Sequence, residues 1–283
     1  MNKIKRAVIM PYLMLCIIAI LHSLVMVLLS KQHSLAWFGV IVALVPMVGF
    51  MAYLGASGTG RTSRYMPLQL TASLLGSALV YYDFSLLPGF YAFGLGLIGV
   101  NTYIFWYSNL GRPQAPGLQV GAVLPDFNLE DTEGQVITSA RFRGSPTLLM
   151  FYRGNWCPLC VAQVREIAEQ YRELQSRGVK VILVSPQPAD NTRELAQRFD
   201  APMTFAVDRD CAAAKQLNIF HDNAVPSNAG LDGYDSDSVY PTVVVTDDDN
   251  RVIWSDVTDN YRVRPEPALF LQVLDQYSAA ATT

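Results

Sequence analysis

The pattern of apolar and polar positions divides the chain near residue 112. Before that point four apolar stretches, near Ala7–Leu29, Leu35–Leu54, Pro67–Tyr82 and Gly89–Tyr107, carry charges only between or outside them. A helix needs roughly 20 apolar residues to cross a hydrocarbon core. The pattern therefore predicts a four-helix transmembrane domain over residues 1–112. Lys3, Lys5 and Arg6 precede the first run as they would in a secretory leader. That run exceeds the roughly 7–15 apolar residues of a leader and is followed by further spans, so a retained helix is expected. Trp37, Tyr103, Trp106 and Tyr107 fall near span ends, where amphipathic rings favour the headgroup zone.

Gly111-Arg112-Pro113-Gln114-Ala115-Pro116-Gly117 breaks the pattern and reads as a short linker over 113–118. From residue 119 to 283 short apolar runs alternate with amphipathic ones. Asp131–Gly134 looks like a turn between two short strands, and Thr147–Arg153 suits a buried strand. Pro158 to about Arg177 has one apolar face and stops at Gly178, as a helix would. Strands are expected at Val179–Ser185 and Met203–Val207, with helices from Asp190 or Asn191 to Phe199 and at Cys211–Leu217. A hairpin of Tyr240–Thr246 with Arg251–Ser255 and a helix from Pro265 to about Tyr277 follow. His221–Val239, rich in Asn, Asp, Ser and Gly, reads as a surface insertion. This order predicts an α/β domain, a mixed central sheet with helices on both faces.

Charge sharpens the division. Up to Arg112 there are seven basic residues and one acidic residue, Asp83; beyond it there are fourteen basic and twenty-three acidic. An acidic soluble domain excludes nucleic acid as its partner, because binding phosphates needs a basic surface. Lys3, Lys5, Arg6, Arg61, Arg64 and Arg112 fall on one side of the predicted spans and Lys31 on the other. By the positive-inside rule both termini are cytoplasmic. The expectation is a multi-pass protein of a bacterial inner membrane, in contact with lipid, with its soluble domain in the cytoplasm. His22, His33 and Cys16 do not form a ligand set or a dithiol at helical spacing, so the helices read as an anchor.

The chemistry concentrates in Cys157-Pro158-Leu159-Cys160, at the end of a predicted strand and the start of a predicted helix. A helix N-terminus aims unpaired N–H groups and partial positive charge at Cys157. That favours a thiolate, lowering the pKa from ~8.5 toward the ~3.5–7.5 of reactive cysteines. The spacing puts Cys160 one turn on, within reach of a disulfide. A structural zinc would need four ligands, and the soluble domain offers only the distant Cys211 and His221 besides. The reading is a redox pair that requires no metal or organic cofactor.

Phe151-Tyr152-Arg153-Gly154-Asn155-Trp156-Cys157-Pro158-Leu159-Cys160, with Val120–Phe127 and the Tyr261–Pro267 stretch, resembles the peroxiredoxin-like branch of the alkyl hydroperoxide reductase/thiol-specific antioxidant family. The resemblance covers about residues 119–278. It implies a thioredoxin fold, reduction of hydroperoxides through a Cys–Cys disulfide, and electrons from a thioredoxin-like or small-thiol donor. On the family's P-x-x-x-T-x-x-C turn, Cys160 takes the peroxidatic position, Cys157 replaces the Thr and Arg153 the Pro. The family's later arginine is matched by Tyr240. The same residues also look like the W-C-x-x-C of thioredoxins, with Trp156 before Cys157 as nucleophile and Tyr240-Pro241-Thr242 as the cis-proline turn. Thiol-disulfide exchange is thus the alternative activity, and a membrane redox sensor without turnover is a third reading. Cys157 and Cys160 are the expected catalytic residues; Arg153, Trp156, Pro158, Tyr240 and Pro241 are expected to shape the site, with Arg153 facing solvent.

Overall fold

The computed structural model describes residues 2–29, 33–227 and 233–281. The chain forms two compact units, one built on the N-terminal helices and one on the elements after Leu110. In the first unit α1 spans Asn2–Leu29, α2 Ser34–Ser57, α3 Pro67–Tyr82 and α4 Leu86–Tyr107. Among the described residues three helices, α1, α2 and α4, are long and apolar enough to cross a membrane. The expected count of four is corrected here: α3 has 16 residues, about 24 Å of helix against a hydrocarbon core of roughly 30 Å.

Small residues hold this unit together. A Cβ on Gly76 of α3 would lie 2.3 Å from the Gly39 carbonyl oxygen and 2.6 Å from the Ala43 nitrogen of α2. The two backbones therefore touch directly, the arrangement small residues permit between apolar helices. Cys16 and Ala19 are fully buried in the same cluster. His22 contacts the Tyr91 hydroxyl at 3.2 Å and packs beside Trp37, and His33 pairs with Asp83 at 2.9 Å. Each of these side chains is used in packing or capping within the helices.

The second unit is a seven-stranded mixed sheet in the order β2-β1-β5-β4-β3-β8-β9. Its strands are β1 Asn128–Glu130, β2 Val136–Thr138, β3 Thr147–Phe151, β4 Lys180–Ser185 and β5 Thr204–Val207, then β8 Thr242–Thr246 and β9 Val252–Asp256. β3, β4 and β5 run parallel; β8 pairs antiparallel with β3 and β9 with β8. The helices are α5 Pro158–Glu169, α6 Tyr171–Ser176, α7 Ala189–Ala196, α8 Ala212–Gln216 and α9 Pro267–Ala281. Every residue of β3 is buried. Leu149 and Phe151 join one apolar cluster with Ile182, Val184 and Val244. Leu148 and Met150 must point the other way, since side chains alternate along a strand, and they too are fully buried. Both sheet faces are covered, which is why these strands read as unbroken apolar runs.

Several boundaries shift. The long helix expected from Pro158 breaks at Gln170 (φ −95°, ψ 4°) into α5 and α6. The segment expected as a linker is packed into the second unit: Leu118 lies in its core with Ala115 against it, and Ser255 Oγ donates to the Leu118 carbonyl at 2.6 Å. These two apolar side chains explain why it docks. The ends of the expected surface insertion form a two-stranded ribbon, β6 Phe220–His221 with β7 Ser238–Val239. Residues 228–232, within that insertion, lie outside the described residues.

Candidate active site

β3 ends at Phe151, and a tight turn carries the chain to Pro158, the opening residue of α5, with Cys157 as its N-cap in extended geometry. Pro158 suits this position because the first helical N–H has no partner to lose. Gly154 makes the turn possible: its φ is +138°, and a Cβ there would sit 2.9 Å from the Trp156 ring. Gly154→Ala is expected to lower stability by roughly 1–3 kcal/mol, the cost of forcing a side chain into such backbone, visible as a lower melting temperature and altered Trp156 fluorescence. Gln187, 2% exposed, locks the same turn. Its Oε1 accepts from the Asn155 N–H at 2.8 Å, while its Nε2 donates to Asn155 Oδ1, the Tyr152 hydroxyl and Thr192 Oγ1.

Both sulfurs are reduced and buried, Cys157 3% and Cys160 0% exposed. Their acidities are pushed apart. Cys157 is driven well above the ordinary thiol value, first by donating its hydrogen bond to Cys160 and then by burial and the neighbouring negative charge. For Cys160 burial opposes ionisation. It is outweighed by the hydrogen bond from Cys157, the charge of Arg264, the backbone N–H of Arg153 and the Arg153 guanidinium, so its pKa is lowered. The sulfur that ionises is therefore Cys160. The sequence expectation, a lowered pKa at Cys157, is reversed because Cys160 receives the donors.

Arg264 supplies the decisive charge. It is 7% exposed; Nη2 lies 3.5 Å from Cys160 Sγ, Nη1 donates to Gln163 Oε1 at 3.0 Å and Nε to the Tyr261 carbonyl at 2.9 Å. Sequence reading missed Arg264, Gln163 and Gln187. The only signal for Arg264 was its place in the family-like Tyr261–Pro267 stretch. Arg153, expected to face solvent, is 8% exposed. It lies over the Trp156 ring at 4.5 Å and the Tyr261 ring at 5.8 Å and donates to the Ala224 carbonyl at 2.5 Å. Two aromatic faces and a nearby thiolate offer it more than water does.

Arg153, Trp156, Pro158, Cys157 and Cys160 are thus gathered at one turn. Tyr240 stacks on His221 at 4.3 Å, and the Pro241 carbonyl accepts from Arg112 at 3.3 Å, directly before Thr242, which pairs with Phe151 at the end of β3. The cis-proline expectation is corrected, since every peptide bond among the described residues, that before Pro241 included, is trans. Cys211 is a packed thiol, 4% exposed, donating to the Ser238 carbonyl.

A mixed thioredoxin-like sheet thus presents a buried, polarised Cys-x-x-Cys at a strand–helix junction. Residues 120–255 match the AhpC/TSA family. Chloroplastic peroxiredoxin Q of Triticum aestivum is 28% identical over 99 residues, 35% of this chain and 46% of its own. Thiol-disulfide oxidoreductase ResA of Geobacillus thermodenitrificans is 28% identical over 116 residues, 41% of this chain and 63% of its own. The chain spans about half the length of the curated relatives it matches. Among solved structures, peroxiredoxin 6 of Arenicola marina aligns at 19% identity and a TM-score of 0.49, over 58% of this chain and 76% of its own.

Proposed function

We propose that the protein is a membrane-anchored thiol peroxidase in which Cys160 attacks a hydroperoxide and Cys157 resolves the product. The observation that carries this reading is the pairing of a buried Cys160 sulfur with the Arg264 guanidinium at 3.5 Å, with Cys157 held protonated beside it. The Cys160 thiolate donates an electron pair to the terminal peroxide oxygen, forming an S–O bond as the O–O bond breaks. The departing alkoxide takes the Cys157 proton and leaves as an alcohol. Cys157, now a thiolate, displaces hydroxide from the Cys160 sulfenic acid, which closes the disulfide; a solvent proton converts the hydroxide to water. A thioredoxin-like or small-thiol donor then returns two electrons. Arg264 and Arg153 stabilise the thiolate and the charge passing to the leaving oxygen. They take over the task of the family's Thr and later Arg, whose positions hold Cys157 and Tyr240. No metal or organic cofactor enters.

The helices α1, α2 and α4 tether the domain to a bilayer. Reagent labelling of Cys variants in intact cells tests on which side of it the domain lies. Cys157→Ser tests the chemistry: one equivalent of peroxide is expected to leave a stable sulfenic acid on Cys160, trapped by dimedone and seen by mass spectrometry. A Cys157→Ser protein that consumes no peroxide, together with a Cys160→Ser protein trapped in mixed disulfides, would instead assign thiol-disulfide exchange.

A further inference from the structure

We infer that Gln187 and Ser238 are positioning residues: they pin the two peptides on either side of Gly154 and so aim the Arg153 N–H at the Cys160 sulfur. The inference rests on the peroxidase reading, in which Cys160 is the reacting sulfur, and adds the residues that keep it ready. It starts from where the backbone of the turn finds its partners, since a buried N–H or carbonyl has to be paired. The Tyr152 N–H makes the last bond of the ladder, to the Val184 carbonyl at 2.9 Å. From Arg153 onward the chain has left the sheet. The Gly154 carbonyl accepts from the Cys157 N–H at 3.1 Å, within the turn. The Arg153 carbonyl and the Asn155 N–H turn instead to side chains. Ser238 Oγ donates to the first at 2.9 Å, and Gln187 Oε1 accepts from the second at 2.8 Å. The Arg153 N–H goes to Cys160.

The two holds come from separate parts of the domain. Ser238 lies on β7, fully buried and paired with His221 across the ribbon. Gln187 follows β4 and is 2% exposed. They act on successive peptides: the Arg153 carbonyl belongs to the peptide before Gly154 and the Asn155 N–H to the one after it. Glycine is the most permissive residue in its backbone angles, so Gly154 by itself leaves the direction of the Arg153 N–H undetermined. Fixing both of its peptides removes that freedom. A hydrogen bond weakens steeply as its angle closes, so a backbone donor to a thiolate serves best where it cannot swing. Each hold is itself braced. The Ser238 carbonyl accepts from Cys211 Sγ, and Gln187 Nε2 donates to the Tyr152 hydroxyl and Thr192 Oγ1. The ribbon inside the expected surface insertion thus supplies a residue to the site. The charged and titratable groups acting on Cys160 are Cys157 on the same turn, Arg153 at the strand end, Arg264 before α9 and the Tyr152 phenol. Ser238 and Gln187 carry no charge, so their effect on Cys160 passes through the backbone they hold.

The test follows alkylation of the reduced full-length protein by iodoacetamide as a function of pH, with mass spectrometry locating the label. Ser238→Ala removes one hydroxyl and adds no bulk. Its Cys160 is expected to titrate at higher pH, so that below both midpoints alkylation slows by roughly 3–10-fold. A whole hydrogen bond to a charged group is worth roughly 10–100-fold, and here the donor is loosened rather than removed. Gln187→Met is expected to move the midpoint the same way, and Ser238→Thr, which keeps the hydroxyl, to hold the unmodified one. Loss of a merely structural tie would lower the melting temperature and admit reagent faster at every pH, with the midpoint in place. That outcome in Ser238→Ala overturns the proposal, even where Gln187→Met fails to fold, and leaves the peroxidase reading standing. Label that enters Cys157 ahead of Cys160 in the unmodified protein removes both.

Discussion

Cys160→Ser is expected to lose peroxide reduction by roughly three orders of magnitude or more, the scale seen when a nucleophile is removed. The structure makes the loss specific to this sulfur, because Cys160 alone of the pair is stabilised as a thiolate. Consumption of hydrogen peroxide by the reduced full chain, followed to a single turnover, measures it. The variant should form no sulfenic acid, whereas Cys157→Ser forms one and stops there. The pH profile follows from the direction of the shift. A lowered pKa means the thiolate already predominates at neutral pH, so the rate is flat there and falls on acidification, as the proton returns to sulfur. Cys157, held protonated, does not contribute to the first step. A rate that climbed steadily through the ordinary thiol range would contradict the assignment.

Arg264→Met should come next in size. Removing one donor to a developing negative charge costs roughly 10²–10³ in rate, and losing an opposite charge beside a thiolate moves its titration up by roughly 1–3 pH units. The acid limb of the rate profile should therefore move to higher pH, and alkylation of Cys160 by iodoacetamide should follow the same curve. Arg264→Lys keeps the charge but loses the hold on Gln163 Oε1, Cys160 and the Tyr261 carbonyl together, and should recover only part of the rate. If Arg264→Met titrated like the unmodified protein, the role given to this residue would fail.

The dithiol and the sheet were legible because their signals are local. Thr147–Phe151 is an unbroken apolar run that only a strand covered on both faces explains, and Cys157 and Cys160 are one helical turn apart. The identity of the ionised sulfur was not legible, since Arg264 reaches Cys160 across a separation of 104 residues, and no spacing rule reports such a contact. Arg153 misled for a related reason. At a strand end an arginine ordinarily meets water, and only the folded positions of Trp156 and Tyr261 keep it inside. The span count failed on length: Pro67–Tyr82 is uncharged throughout, but it is bounded by Pro67 and Asp83 and ends too soon.

The proximity of the two sulfurs bears on how such a protein wears out. Cys157 already hydrogen-bonds to Cys160 in the reduced state, on the same first turn of α5. Its path to a sulfenic acid needs no helix to unwind and no second chain to approach, so the condensing group is present at very high effective concentration. A second peroxide, which would carry Cys160 on to an irreversible sulfinic acid, has to outrun a neighbour that is already in contact. Inactivation by excess oxidant should accordingly be slow, and durability under a burst of peroxide comes from the same short turn that sets the acidity.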